Sequence, residues 1–382
     1  MFEDIIEFIR KLYNNPNDFI PLHEPKFMGN EKKYVVDAID STFVSSVGAY
    51  VDKFEEMMQD FTGAKYAIAT VNGTSALHTA LLVAGVKQGD EVITQPLTFV
   101  ATVNAITYTG AKPVFVDVDR RSMGLSSEKL RLFLEHNTKI GEDGFCYNIK
   151  SGNKISACIP MHTFGFPSQI VDIAQICNNY HIPVVEDAAE SLGSLFENRH
   201  TGTFGLLGTF SFNGNKTITS GGGGAIVTND ELLAREAKHL TTTGKIPSRW
   251  EYKHNVVAYN YRMPNLNAAL ACAQLEKIDD FVNSKRDLAN CYKEFFDQRG
   301  TTFVSESTGS YANYWLNTIL MFDKQERDDF LDFSNNNGVM TRPSWQLMNE
   351  LSMYQNCQTA DLSNASWLTD RIVNIPSSVR MP

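Results

Sequence analysis

The chain has 382 residues, and its 34 Lys and Arg against 44 Asp and Glu leave a formal net charge of −10, which argues against a broad cationic surface for nucleic acid or anionic lipid. Its 43% hydrophobic and 20% charged residues are an ordinary globular balance that argues against disorder, collagen or a coiled coil. At about 150 residues per domain, this length suits two or three compact units.

The first stretch, MFEDIIEFIRKLYNN, breaks its apolar residues with charges and has neither the basic start nor the uninterrupted apolar run of a signal peptide. No later window offers the roughly 18 apolar residues that a membrane span requires. The six cysteines, Cys146, Cys158, Cys177, Cys272, Cys291 and Cys357, are scattered without a CxxC pair, unlike a zinc module or a disulfide framework. A reduced, cytoplasmic, soluble enzyme with no bound metal is expected.

In chain order, Ala67–Val71, Glu91–Gln95, Pro113–Val118, Ala157–Met161 and Pro183–Glu186 read as short apolar strands, most followed by a turn and a helical pattern. This alternation predicts an α/β fold with a mostly parallel sheet and helices on both faces. A helix is expected from Ser75 to Ala84 behind the capping run Asn72-Gly73-Thr74, with others over 170–180 and 265–281. Residues 134–155 are polar and turn-rich and suggest a surface insertion. Beyond about residue 280 the texture changes to that of a smaller α+β unit, in which Tyr314–Phe322 alternates like a strand.

Four places carry chemistry. Val184-Val185-Glu186-Asp187 is an apolar strand ending in carboxylates, where open α/β sheets place ligand groups. In Thr209-Phe210-Ser211-Phe212-Asn213-Gly214-Asn215-Lys216, a strand stops at a polar turn with one lysine, and Gly221 to Gly224 follow. The glycines leave room for a close approach to the backbone, yet match neither a Walker nor a dinucleotide loop. Asn72-Gly73-Thr74-Ser75 opens a helix and can form an anion pocket. Phe99 sits at a strand exit and could stack on a flat ligand. Taken singly, each has a plain structural explanation. Together they supply what pyridoxal phosphate requires: a Schiff-base lysine, a carboxylate for the ring nitrogen, an aromatic cover and a helix N-terminus for the phosphate.

The motifs NGTSALH, TFVATVNAI, VVEDAAESLGS, SFNGNK and AYNYRMPNLNAA resemble those of the DegT/DnrJ/EryC1/StrS sugar aminotransferases, which have the fold type I architecture of aspartate aminotransferase. The resemblance runs from Gly48 to Ser378. It implies that Lys216 forms the Schiff base and Asp187 partners the pyridinium nitrogen. Phe99 would stack on the ring, while Thr74, Ser75 and Ser211 would bind the phosphate. Asn260 would reach that phosphate from a neighbouring subunit, making the working unit a homodimer with shared sites. Glu190 would lie near the phenolic oxygen. His162 lies in a segment that resembles a loop near the cofactor. Glutamate would leave the cofactor as pyridoxamine phosphate, and a keto sugar would then accept the amine.

The segment Asn215-Lys216-Thr217-Ile218-Thr219 resembles the branch that aminates C4, and within it the LegC group. The implied acceptor is a UDP-linked 2-acetamido-4-keto-6-deoxy sugar of legionaminic-acid or bacillosamine type. GDP-4-keto-6-deoxymannose, a dTDP sugar and a non-catalytic regulatory role are the alternatives. Lys245, Arg249, Lys253, His254 and Arg262, with Trp250 among them, form the densest basic cluster and are candidates for the nucleotide diphosphate. The expected organisation is a cofactor domain over residues 1–250, N-terminal helical segment included, and a small α+β domain over 251–382.

Overall fold

The computed structural model describes residues 2–380. One sheet runs in the order Tyr66–Thr70, Gly224–Thr228, Leu207–Ser211, Val185–Asp187, Ile155–Ile159, Glu91–Thr94, Lys112–Phe115 and a short Gln358–Thr359. The bridges Cys158 to Val184 and Met161 to Asp187 join its two halves. Gly224–Thr228 is antiparallel to both neighbours, and the other strands share one direction. The fold is therefore α/β and mostly parallel, as the alternation predicts.

Strand alternation sends neighbouring side chains to opposite faces, and both faces are covered. Ile68 and Ile226 join a core with Leu77, Leu81 and Ile106, whereas Ala67, Ala69, Ala225 and Val227 join one with Phe54, Met58 and Phe281. Continuous apolar runs suit such doubly covered strands. Gly224 in the antiparallel strand has a packing reason. A Cβ there would lie 2.5 Å from the Asn72 carbonyl, so only glycine lets the start of helix Gly73–Val83 rest on the sheet.

The C-terminal part builds an antiparallel sheet of Thr302–Phe303, Asn317–Leu320, Ile372–Ile375 and Arg342–Pro343, flanked by helices Ile278–Arg299 and Lys324–Asn336. Three local readings differ from the sequence expectations. The helix expected over 265–281 is two, Asn265–Leu275 and Ile278–Arg299, broken at Glu276 and Lys277. The segment 134–155 is tied down rather than a free insertion: its hairpin is anchored where the buried Asn148 donates to Glu91 Oε2 at 2.6 Å. The N-terminal helix Glu3–Leu12, grouped above with the first unit, buries Ile5, Ile6 and Ile9 in a core shared with Tyr292, Phe296 and Phe330. Burial of its apolar stripe decides that placement, not nearness in sequence.

Ile9 is fully buried, so Ile9→Ala is expected to lower unfolding free energy by about 3 kcal/mol. A urea titration reads this, with the exposed Glu7 changed to Ala as a control that moves it by about 0.5 kcal/mol or less.

Candidate active site

A cavity of ≈360 Å³ opens at the C-terminal ends of the central strands, where open parallel sheets place ligands. Thr74, Phe99, Asp187, Glu190, Ser211 and Lys216 line it. Alternation along Val185–Asp187 explains why only one of two adjacent carboxylates arrives there. Asp187 faces the cavity. Glu186 turns the other way and accepts the backbone N–H groups of Gly202, Phe204 and Gly205 at 2.7, 2.6 and 2.6 Å.

Asp187 is nearly buried. Its Oδ2 accepts the Thr102 hydroxyl at 2.7 Å and its Oδ1 the Ala189 N–H at 3.2 Å. Burial raises its carboxyl above the ordinary value, against the pull of those donors, so a cationic partner in the cavity would favour ionisation. Glu190, also buried, is pushed up to about 7 by burial, with Lys216 pulling the other way. Its Oε1 lies 3.1 Å from Lys216 Nζ, and its Oε2 accepts the Phe164 N–H at 2.9 Å. Phe164 holds a left-handed φ of 55°, a conformation that costs a non-glycine residue about 1–3 kcal/mol. The strain directs a backbone donor at a buried carboxylate.

Lys216 Nζ sits 4.1 Å above the Trp315 ring. The Trp315 indole N–H donates to the Asn215 carbonyl at 2.6 Å, so the C-terminal part grips the loop that carries the lysine. At the far end, Asn72 caps helix Gly73–Val83 by accepting the Ser75 N–H at 2.8 Å. The amides of Gly73 and Thr74 have no preceding turn to bond, and both residues line the cavity. A Cβ on Gly73 would approach Ser211 Cβ to 2.8 Å. A bare amide cradle beside a serine hydroxyl is the donor set for a phosphate. These residues fit pyridoxal phosphate, which Lys216 and Asp187 would hold at the ring and Gly73, Thr74 and Ser211 at the phosphate.

Not every candidate is brought together. Ser75 is buried, does not line the cavity, and spends its N–H on the Asn72 cap. His162 is fully buried outside the lining. Its Nε2 faces Glu186 Oε2 at 3.0 Å, and Nδ1 accepts the Ser168 N–H at 3.1 Å. Lys245 and Arg249 line a separate open cleft with Arg262. Trp250 and Asn260 are exposed and away from the Lys216 cavity. Trp315 and Trp345 line the cavity without having been singled out in the sequence. An aromatic pattern read as strand or core carries no signal that it faces a ligand.

The fold and this cavity define a fold type I enzyme. The chain belongs to the DegT/DnrJ/EryC1/StrS aminotransferase family, whose model matches residues 25–382. It is 38% identical over 363 residues to GDP-perosamine synthase of Vibrio cholerae, covering 94% of each chain. It is 35% identical over 328 residues to the putative pyridoxal phosphate-dependent aminotransferase EpsN of Bacillus subtilis, covering 86% of this chain and 81% of that one. A solved DegT DnrJ EryC1 StrS aminotransferase from Brucella abortus matches with a TM-score of 0.83 at 25% identity, over 91% of this chain and 90% of that one.

Glu190 supplies a pH prediction. Its ordinary value of 4.5 is raised to about 7 in the fold. Between these values the folded chain holds a proton that the unfolded chain has released, so stability falls as pH rises. In cofactor-free protein Glu190→Gln is expected to flatten that fall, read from urea midpoints at stepped pH.

Proposed function

We propose that the chain is a pyridoxal phosphate-dependent aminotransferase that moves an amino group from glutamate to C4 of a nucleotide-linked 4-keto-6-deoxy sugar. The carrying observation is the opposition of Lys216 Nζ and the two carboxylates Asp187 and Glu190 in one cavity that ends at a helix N-terminus. The bound cofactor supplies an electron sink. This chain's residues supply the rest: Asp187 holds a proton at the ring nitrogen, and the amides of Gly73 and Thr74 with Ser211 anchor the phosphate. Lys216 is placed to carry a proton to and from the substrate carbon once its amine is free. Glu190, 3.1 Å away, can take or return a proton at that amine.

The relatives bear on the acceptor. GDP-perosamine synthases of Vibrio cholerae and Escherichia coli O157:H7 are both 38% identical to this chain. Their names favour GDP-4-keto-6-deoxymannose, the alternative reading, over the UDP-linked acceptor that the segment around Lys216 suggests. A homodimer with shared sites is part of the same proposal. Asn260, Arg249 and Trp250 are exposed in one subunit and lie outside its Lys216 cavity, free to complete a neighbour's.

Two measurements test this. Lys216→Ala is expected to lower turnover roughly a thousandfold or more, and Asp187→Asn to remove most turnover while the lysine still binds the cofactor. Wild-type protein given glutamate should aminate a nucleotide-linked 4-keto sugar, with the product weighed by mass spectrometry. Turnover of 2-keto acids alone would reject the sugar reading.

A further inference from the structure

A line of side chains runs behind Asp187. Thr102 sits in the first turn of helix Val100–Tyr108, where a threonine hydroxyl ordinarily bonds a carbonyl of the preceding turn, as Thr107 does with the Val103 carbonyl at 3.1 Å. Thr102 does otherwise. Its hydroxyl donates to Asp187 Oδ2 at 2.7 Å, and its Oγ1 lies 2.7 Å from Thr98 Oγ1. Thr98 Oγ1 in turn lies 2.8 Å from Met161 Sδ. Both threonines are buried, and Met161 shares the cavity wall with Thr102 and Asp187.

This line has two proton arrangements, because each hydroxyl has one proton to give and can also accept. While Asp187 is a carboxylate, Thr102 donates to it, the Thr98 proton turns to Thr102, and the sulfur of Met161 stays bare. A protonated Oδ2 reverses every link: Asp187 donates to Thr102, Thr102 to Thr98, and Thr98 to the sulfur. No threonine O–H bond breaks in the reversal. Both hydroxyls rotate, and the added proton stays on Asp187. The two ends are unequal, since a carboxylate accepts in a strong charge-assisted bond whereas a thioether is a weak acceptor that loses little when left bare. The line therefore favours the carboxylate, and its sulfur end still places the last donor in the other state.

Other groups act on the same carboxyl. Burial is the largest influence and raises it, while Lys216 and His162 pull toward the carboxylate as Thr102 and the Ala189 N–H do. Glu190 and Asp187 each disfavour the other's charge, and Glu186 is engaged on the opposite face. We infer that Thr98, Thr102 and Met161 are a two-way relay that sets the charge on Asp187 and aims that carboxylate for the cofactor's ring nitrogen, with Thr102 as the positioning residue. The inference rests on the role given to Asp187 in the proposed function. It gives the thioether of Met161 a part that an apolar side chain of similar size would not play.

The test reads Asp187 by carbon-13 NMR of carboxyl-labelled aspartate in the cofactor-free full chain, with the signal assigned through Asp187→Asn. Thr102→Val keeps the shape and deletes the hydroxyl; it should move the Asp187 titration up by about one pH unit, the roughly tenfold effect of losing one bond to a charged group. Thr102→Ser should restore most of it. Met161→Leu should move the titration down, because the protonated arrangement loses the end of its line. A hydroxyl that only fills space would not give opposite signs at these two buried positions. In the holoenzyme, Thr102→Val should lower kcat about tenfold and leave KM for glutamate within about twofold, and retention of the cofactor's visible absorbance shows that the variant is folded. No rise with Thr102→Val, or no fall with Met161→Leu, would overturn the relay while leaving the aminotransferase reading intact. Wild-type turnover by Asp187→Asn holoenzyme would overturn the role of Asp187 itself, and the relay with it.

Discussion

The site is organised around a charge imbalance. Asp187 and Glu190 are both buried on a cavity that holds one lysine. Two ionised carboxylates against one ammonium would leave an uncompensated charge in a low-dielectric place, which proteins avoid by shifting protonation or by binding a counter-charge. Glu190, raised to about 7, absorbs part of the imbalance. Asp187 has its two hydrogen-bond donors and still lies above its ordinary value. A ligand that brings a cationic nitrogen to Asp187 and an anion to the Gly73 and Thr74 amides balances both ends at once. The cavity suits a zwitterionic group, and the Asn72 cap, the left-handed Phe164 and the Trp315 clamp on Asn215 hold its surroundings in place.

The net charge of −10 is compatible with this because the anion-binding donors of the cavity are backbone amides rather than surface cations. A helix start with free amides carries about half a positive charge whatever the total of the chain. The cationic side chains Lys245, Arg249 and Arg262 are gathered instead around a separate cleft. The free amides at the sheet and the basic side chains therefore line separate cavities. In the homodimer proposed above, each copy would present its exposed cluster to the other's cavity.

Much of this was legible in the sequence, for identifiable reasons. The strand ends, the capping run at Asn72 and the single lysine after an aromatic strand are local patterns. Local patterns survive without tertiary information. Lys216, Asp187, Glu190, Thr74, Phe99 and Ser211 accordingly all line one cavity. What escaped depends on which contact each group makes in the fold, near or far along the chain. Ser75 looks like a phosphate ligand until its N–H is found committed to Asn72. His162 sits in a suggestive segment but turns toward Glu186, and alternation alone warns that Glu186 and Asp187 cannot share a face. The strand Gly224–Thr228 was hidden because its first residue continues a glycine run, and its reason, the close approach of Asn72, lies about 150 residues away along the chain. The N-terminal helix shows its amphipathic face plainly but not which core receives it.

Trp315 joins these levels. Its ring lies under Lys216, its indole N–H holds the carbonyl just before that lysine, and its other edge lines a second cavity. The backbone beneath it is held in turn: Asn313 accepts the Trp315 N–H at 2.8 Å and donates to the Glu190 carbonyl at 2.9 Å. One side chain thus forms the partition between the reacting amine and the neighbouring cavity, and the turn that supports it also holds the backbone of the second buried carboxylate. A group seated against the far side of Trp315 would press on the wall that positions Lys216. Binding energy from such a group would then be spent on holding the lysine against that wall.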